Sequence, residues 1–99
     1  MSTRKEKAAI SGVAIVELKP SMSSGGVQVT LHDITVGSGT VTITAMPGGT
    51  NEYQPVADGT VDLSDDTAPK TLLIQGSFDA IKATSSSSSD AFKLVVGGI

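Results

Sequence analysis

Residues 39–46 constrain the fold more than any other stretch. Val41, Ile43 and Ala45 occupy one set of alternating positions, and Thr40, Thr42, Thr44 and Met46 the other. A period of two, rich in β-branched residues on both sides, suits a strand with one face on a core and one in water. Gly39 opens this stretch and Pro47, Gly48 and Gly49 close it, so chain reversals bracket it. Its apolar side needs a cover.

That cover comes from further strands of the same kind. Val13, Ile15 and Glu17 alternate with Ala14, Val16 and Leu18 before Pro20. Val27, Val29 and Leu31 share a second strand with Gln28, Thr30 and His32, which Asp33 kinks before Ile34–Val36 continues it. Gly37, Ser38 and Gly39 predict a hairpin into the organising strand. Val56–Leu63 is a fourth strand, with Asp58-Gly59 as a bulge or tight bend. In Lys70–Gln75, Leu72 and Ile74 face opposite to Leu73, and an irregularity in Phe78–Thr84 buries both Phe78 and Ile81. Phe92, Leu94 and Val96 share one face of the last strand. Ser85–Ser89 is a run of serines with no burial to offset its ordering entropy, an exposed loop tip. The lone Tyr53 is expected to fold over one end of the core with its hydroxyl in water.

About seven short strands joined by Gly, Ser, Pro and Asp turns predict an all-β domain: a small β-sandwich, immunoglobulin-like or barrel-like. No segment supplies a helix long enough to cover a single sheet, so the apolar faces cover each other or are covered by another subunit. The predicted organisation is a flexible basic N-terminal arm over residues 1–10 and a single sandwich domain over 11–99.

Ninety-nine residues support one core, but aromatics are 3% of the chain, and Val, Ile and Leu must fill it. There is no cysteine to staple so thin a core, which favours folding in a reducing compartment. No apolar run reaches the length of a membrane span, and Ser11, Gly12 and Glu17 interrupt any signal-peptide core. The arm carries Arg4, Lys5 and Lys7 against Glu6, whereas the other residues hold four lysines and nine carboxylates. An acidic body argues against nucleic-acid binding, which depends on basic surface.

Few constellations carry chemistry. His32 is the single histidine, so zinc sites of the usual His and Cys numbers and Cys–His catalysis are excluded. No serine lies in a Gly-x-Ser-x-Gly elbow, and His32 reads as a solvent-facing strand residue. Asp62, Asp65 and Asp66 have oxygens for a cation such as Ca²⁺, without the spacing of an EF-hand, and also suit a solvated acidic turn. The glycine pairs at 25–26, 48–49 and 97–98 lack the following Gly-Lys-Ser/Thr of a phosphate loop. The sequence therefore predicts no catalytic, metal or cofactor residues.

The phrase from Gly39 to Gly49, then Tyr53-Gln54-Pro55-Val56 and Asp58-Gly59-Thr60-Val61-Asp62-Leu63-Ser64, resembles small β-rich structural proteins of tailed bacteriophages. Ile74–Thr84 and Phe92–Gly98 share that texture, so the resemblance spans roughly residues 27–98. It implies a non-enzymatic virion protein: capsid decoration, fibre or tail component, assembled in the host cytoplasm. The implied partners are further copies of the chain, a trimer being one option, and a major capsid or tail protein, with no nucleic acid, membrane or small-molecule substrate. The alternative is a secreted or surface binding module of the immunoglobulin-like or carbohydrate-binding type, and a small hydrolase using His32 comes third. For an assembly role the interface candidates are Arg4, Lys5 and Lys7 on the arm, with Leu72, Leu73 and Val95 where both faces of a strand are apolar.

Overall fold

The computed structural model describes residues 4–18, 26–32, 34, 40–62, 70–76, 78–86 and 91–98. Eight strands lie in these residues: β1 (Arg4–Ala8), β2 (Val13–Glu17), β3 (Val27–His32), β4 (Thr40–Pro47), β5 (Gln54–Asp62), β6 (Lys70–Ile74), β7 (Phe78–Ser85) and β8 (Lys93–Gly98). They form two four-stranded sheets, ordered β1-β8-β3-β6 and β2-β7-β4-β5, and every pairing is antiparallel. The all-β sandwich is as the alternation dictates. Its strand order is that of a double-sheet jelly roll, not of an immunoglobulin domain.

The two inner faces alternate as read. Val27, Val29 and Leu31 meet Val41, Ile43 and Ala45, and Phe92, Leu94 and Val96 join them in a single apolar cluster. Phe78 and Ile81 are both buried, with Ala80 and Ala83, and pairing with β4 slips between Met46 and Pro47 to allow it. Total exposed surface is 5464 Å², close to the roughly 5,200 Å² expected of a folded monomer of this mass. A core without tryptophan is enclosed all the same, because the β-branched side chains stand on two facing pleats. Among the described residues no helix is long and apolar enough to cross a membrane.

Three expectations about elements are corrected. Residues 4–8 are not part of a frayed arm: they are β1, paired with β8 from Arg4 opposite Gly97 to Ala8 opposite Lys93. The Lys and Ala residues favour helix weakly, and the unpaired edge of β8 overrides that preference. β3 and β4 are not a hairpin, because β3 belongs to one sheet and β4 to the other. Of the connections between consecutive strands, only β4–β5 stays within a sheet. The serine run is not wholly an exposed tip. Ser85 ends β7 and donates its N–H to Gly12 O at 2.7 Å, while Ser86 Oγ accepts from Thr40 N at 3.0 Å and Ser86 N donates to Thr40 O at 2.8 Å. The expectations for Asp33, for residues 35–39 and for Asp65 and Asp66 lie outside the described residues, as does the serine run beyond Ser86.

Two local features place the edges. Ser11 and Gly12 both have positive φ, 53° and 78°, and Ile10 and Val13 exchange backbone hydrogen bonds across them. This is the geometry of a two-residue type I′ turn. It carries the chain from β1 in one sheet to β2 in the other. In β5, Asp58 has φ 57° and the register against β4 shifts between Thr42 and Thr44. The Asp58-Gly59 pair is therefore a bulge, as its sequence anticipates.

Candidate interaction surface

The register of the first sheet sets out its solvent face row by row. Arg4, Gly97, Gln28 and Leu73 lie in one row; Glu6, Val95, Thr30 and Thr71 in the next; Ala8, Lys93 and His32 in the third. Gly97 adds no side chain, and a shallow depression of about 530 Å³ forms there, walled by Arg4, Glu6, Gln28, Thr30 and His32. His32 Nε2 lies 2.6 Å from Glu6 Oε2, reaching diagonally over β8 to tie β3 to β1. Thr30 and Thr71 hydroxyls approach at 3.4 Å. His32 thus stands on the solvent face, and its described partner is a carboxylate.

The opposite solvent face is built on β7. Lys82 pairs with Ile15 and with Thr44, and its Nζ stands 5.2 Å from the centre of the Tyr53 ring. Burial raises the phenol pKa above its usual 10.0, and the nearby Glu17 carboxylate raises it further. Tyr53 therefore lies beside Lys82 and Glu17 outside the sheet, not over an end of the core. The β4–β5 loop beneath it is held by Gly49 N donating to Asp79 Oδ2 at 3.1 Å and by Thr50 Oγ1 donating to Pro47 O at 2.9 Å.

The sandwich has two flanks where edge strands of the two sheets meet, β1 beside β2 and β5 beside β6. On the first flank, Lys5 and Lys7 alternate toward the gap between sheets, with Ile15 and Glu17 of β2 across it. Lysines aimed inward at an edge discourage indiscriminate strand pairing. On the second flank the gap holds a groove of about 510 Å³ lined by Pro55, Val56, Leu73, Ile74 and Phe78. A smaller cavity of about 260 Å³ lies further along, between Asp58, Val61, Lys70 and Leu72.

The six interface candidates separate on this frame. Arg4, Leu73 and Val95 share the solvent face of the first sheet, Leu73 being 65% exposed. Lys5 and Lys7 point into the first flank. Leu72 lies apart from them: it pairs with Val29 on the inner face and packs, half-buried, against the core at the second flank. Alternation within β6 separates Leu72 from Leu73, so a strand apolar on both sides does not present both leucines outward. Two exposed apolar residues were missed, Ile10 at 79% and Ile15 at 40%. For Ile10 the signal was the following Ser11-Gly12, which marks a turn whose tip it occupies.

Among the described residues no group of three or more His, Cys, Asp or Glu converges as a metal centre. The chain matches no protein-family model and no curated protein. It is similar in fold to a solved protein of the Bacillus endospore appendages, a novel family of disulfide-linked pili. The match has a TM-score of 0.52 and 19% identity over 99% of this chain and 84% of that one, which establishes likeness of fold.

Proposed function

We propose that this protein is a non-enzymatic structural subunit that works by assembling with copies of itself and docking on a larger protein surface. The carrying observation is where its exposed large apolar side chains sit. Ile10 is in the β1–β2 turn, Ile15 on β2 and Leu73 on β6, so all three border edge strands. Edge strands and apolar patches beside them are surfaces that other protein chains cover.

Two observations support a building-block role. The similar solved protein belongs to a pilus-like appendage. Double-sheet jelly rolls are also a recurring architecture of viral capsid domains. A disulfide linkage is chemically closed to this chain, which has no cysteine. The finer reading is a tailed-bacteriophage virion component, capsid decoration or head- or tail-associated, which rests on the resemblance of residues 27–98 and on this architecture. Light scattering at micromolar concentration should give a mass that is a multiple of 10.0 kDa. The virion reading requires binding to particles that lack the protein; a 10.0 kDa monomer that fails to bind them removes both.

The depression beside Gly97 favours a second reading, a binding module for a small polar ligand. Its walls offer a guanidinium, a carboxylate, an amide and an imidazole within one concave patch. Lectin domains also use the jelly roll, so this is fold-level analogy plus one site. Saturable glycan binding abolished by Arg4→Ala and Gln28→Ala would favour it over assembly.

A further inference from the structure

The two flanks differ in charge, relief and strand direction, and these differences are complementary. β1, the edge strand of the first flank, is net basic, with Lys5 and Lys7 facing the flank and Arg4 on its solvent side against Glu6, which pairs with His32; β2 carries Glu17. The second is acidic on β5, through Asp58 and Asp62, and carries Lys70 on β6. Ile10 projects from the first flank, and the groove of Pro55, Val56, Leu73, Ile74 and Phe78 indents the second.

Register decides how the two flanks meet. Arg4 and Glu17 lie at one end of the sandwich, and Ile10 lies at the other, with Asp62 and Lys70. The groove lies at the same end as Arg4 and Glu17. When two copies stand side by side without rotation, β1 of one meets β6 of the other, and Lys7 approaches Lys70. A half-turn about the line joining the copies exchanges the sheets and the ends together. β1 then meets β5 and β2 meets β6, both antiparallel. Arg4 comes beside Asp62, Glu17 beside Lys70, and Ile10 reaches the apolar groove.

We infer that copies of this chain associate flank to flank in this half-turned arrangement, the Ile10 turn of each seated in the β5–β6 groove of the next. The inference rests on the assembly reading and specifies its interface. Such a contact is heterologous: each copy uses a different surface on either side, and a half-turn combined with a step along the joining line is a screw that does not close, so association continues into a filament. Pro55 and the Asp58-Gly59 bulge limit regular pairing on β5 to its last three residues, Thr60 to Asp62. Charge and the Ile10 contact therefore set the register. Opposed charges across the contact also steer encounter and weaken with salt.

The absence of native cysteine makes disulfide trapping a clean test. The full chain carrying Arg4→Cys and Asp62→Cys together should oxidise to a ladder of 10.0 kDa steps on a non-reducing gel, and either single variant should give no ladder. Ile10→Asp, at a site 79% exposed and so harmless to the fold, should reduce the assembled fraction at least tenfold by light scattering. Arg4→Glu and Asp62→Arg should each dissociate alone and reassemble when mixed, because alternating copies restore every charge pair. A wild-type protein that assembles while the double-cysteine chain forms no ladder and Ile10→Asp has no effect overturns this interface and leaves the assembly reading standing. A wild type that stays at 10.0 kDa up to about 100 micromolar, where even contacts of about −5.5 kcal/mol are half-populated, overturns both.

Discussion

Ile43 and Thr42 are neighbours whose fates differ by one step of the pleat. Ile43 is 1% exposed at the centre of the core, while Thr42 faces water. Ile43→Ala should cost about 2–4 kcal/mol through the cavity it leaves, and Thr42→Ala less than about 0.5 kcal/mol. Urea melts of the two variants check the ranking; equal losses would overturn the facing of β4. Gly59 is a second residue whose chemistry is dictated by its surroundings. A Cβ there would come within 2.8 Å of Ile43 O and of Val56 Cγ2, and 3.0 Å from Val56 O. Backbone oxygens on two sides leave little room to yield, so Gly59→Ala should destabilise by about 1–3 kcal/mol. Tyr53 offers a pH readout, being the only tyrosine. Its phenol holds its proton more tightly in the folded state, so stability falls as pH rises from about 10 through the raised value. Absorbance titration should place the folded midpoint above that of the urea-unfolded chain. Glu17→Gln should lower it only part of the way, because burial is the larger cause.

At the scale of elements, β1 and the end of β7 are where local sequence is least informative. A frayed arm can be deleted without loss, whereas β1 hydrogen-bonds along β8 and its successor Ala9 donates to Phe92 O at 2.9 Å. Removing residues 1–8 should therefore lower stability by more than about 1 kcal/mol, since it strips a ladder from β8. A urea midpoint unchanged by the deletion would mean that β1 is not stably paired in solution. Ser86 gives a sharper comparison. Its hydroxyl is the acceptor for Thr40 N at the entrance to β4, so Ser86→Ala should cost about 0.5–1.5 kcal/mol. The five serines look equivalent in sequence; position relative to Thr40 distinguishes them.

For the whole molecule, the arrangement of sheets brings the first strand beside the last and joins β3 to β6 and β8 across long stretches of chain. Non-local pairing delays the contacts that reward loop closure, so refolding should fall in the millisecond-to-second range typical of sandwiches. Stopped-flow circular dichroism measures this directly, and microsecond refolding would contradict the topology. The same arrangement segregates charge: β1 and β5, the most basic and most acidic edges described, stand on opposite flanks. Assembly through those flanks should weaken as salt rises from about 0.05 to 1 M, since the Debye length shrinks to about 3 Å. Sedimentation across that range tests it, and salt-insensitive assembly would point to a purely apolar contact.

The alternation of Val41, Ile43 and Ala45, and its counterparts around Val29 and Leu94, was sufficient to determine an all-β sandwich and which side chains fill its core. Periodicity is a local property, and burial follows it wherever a strand has one covered face. The bulge at Asp58-Gly59 and the burial of both Phe78 and Ile81 were also legible, from a misplaced turn pair and a broken phase. Local pattern does not say which strand neighbours which. β1 became a strand because β8 had an open edge, and β3 and β4 parted because opposite sheets needed them. The candidate surface depends on those choices. Arg4, Glu6 and His32 share a face, and Ile10 stands opposite in the molecule to an apolar groove, only because hydrogen-bond registers between strands remote in sequence place them there. Such registers are settled by the global packing of two pleated faces, and no single segment encodes them.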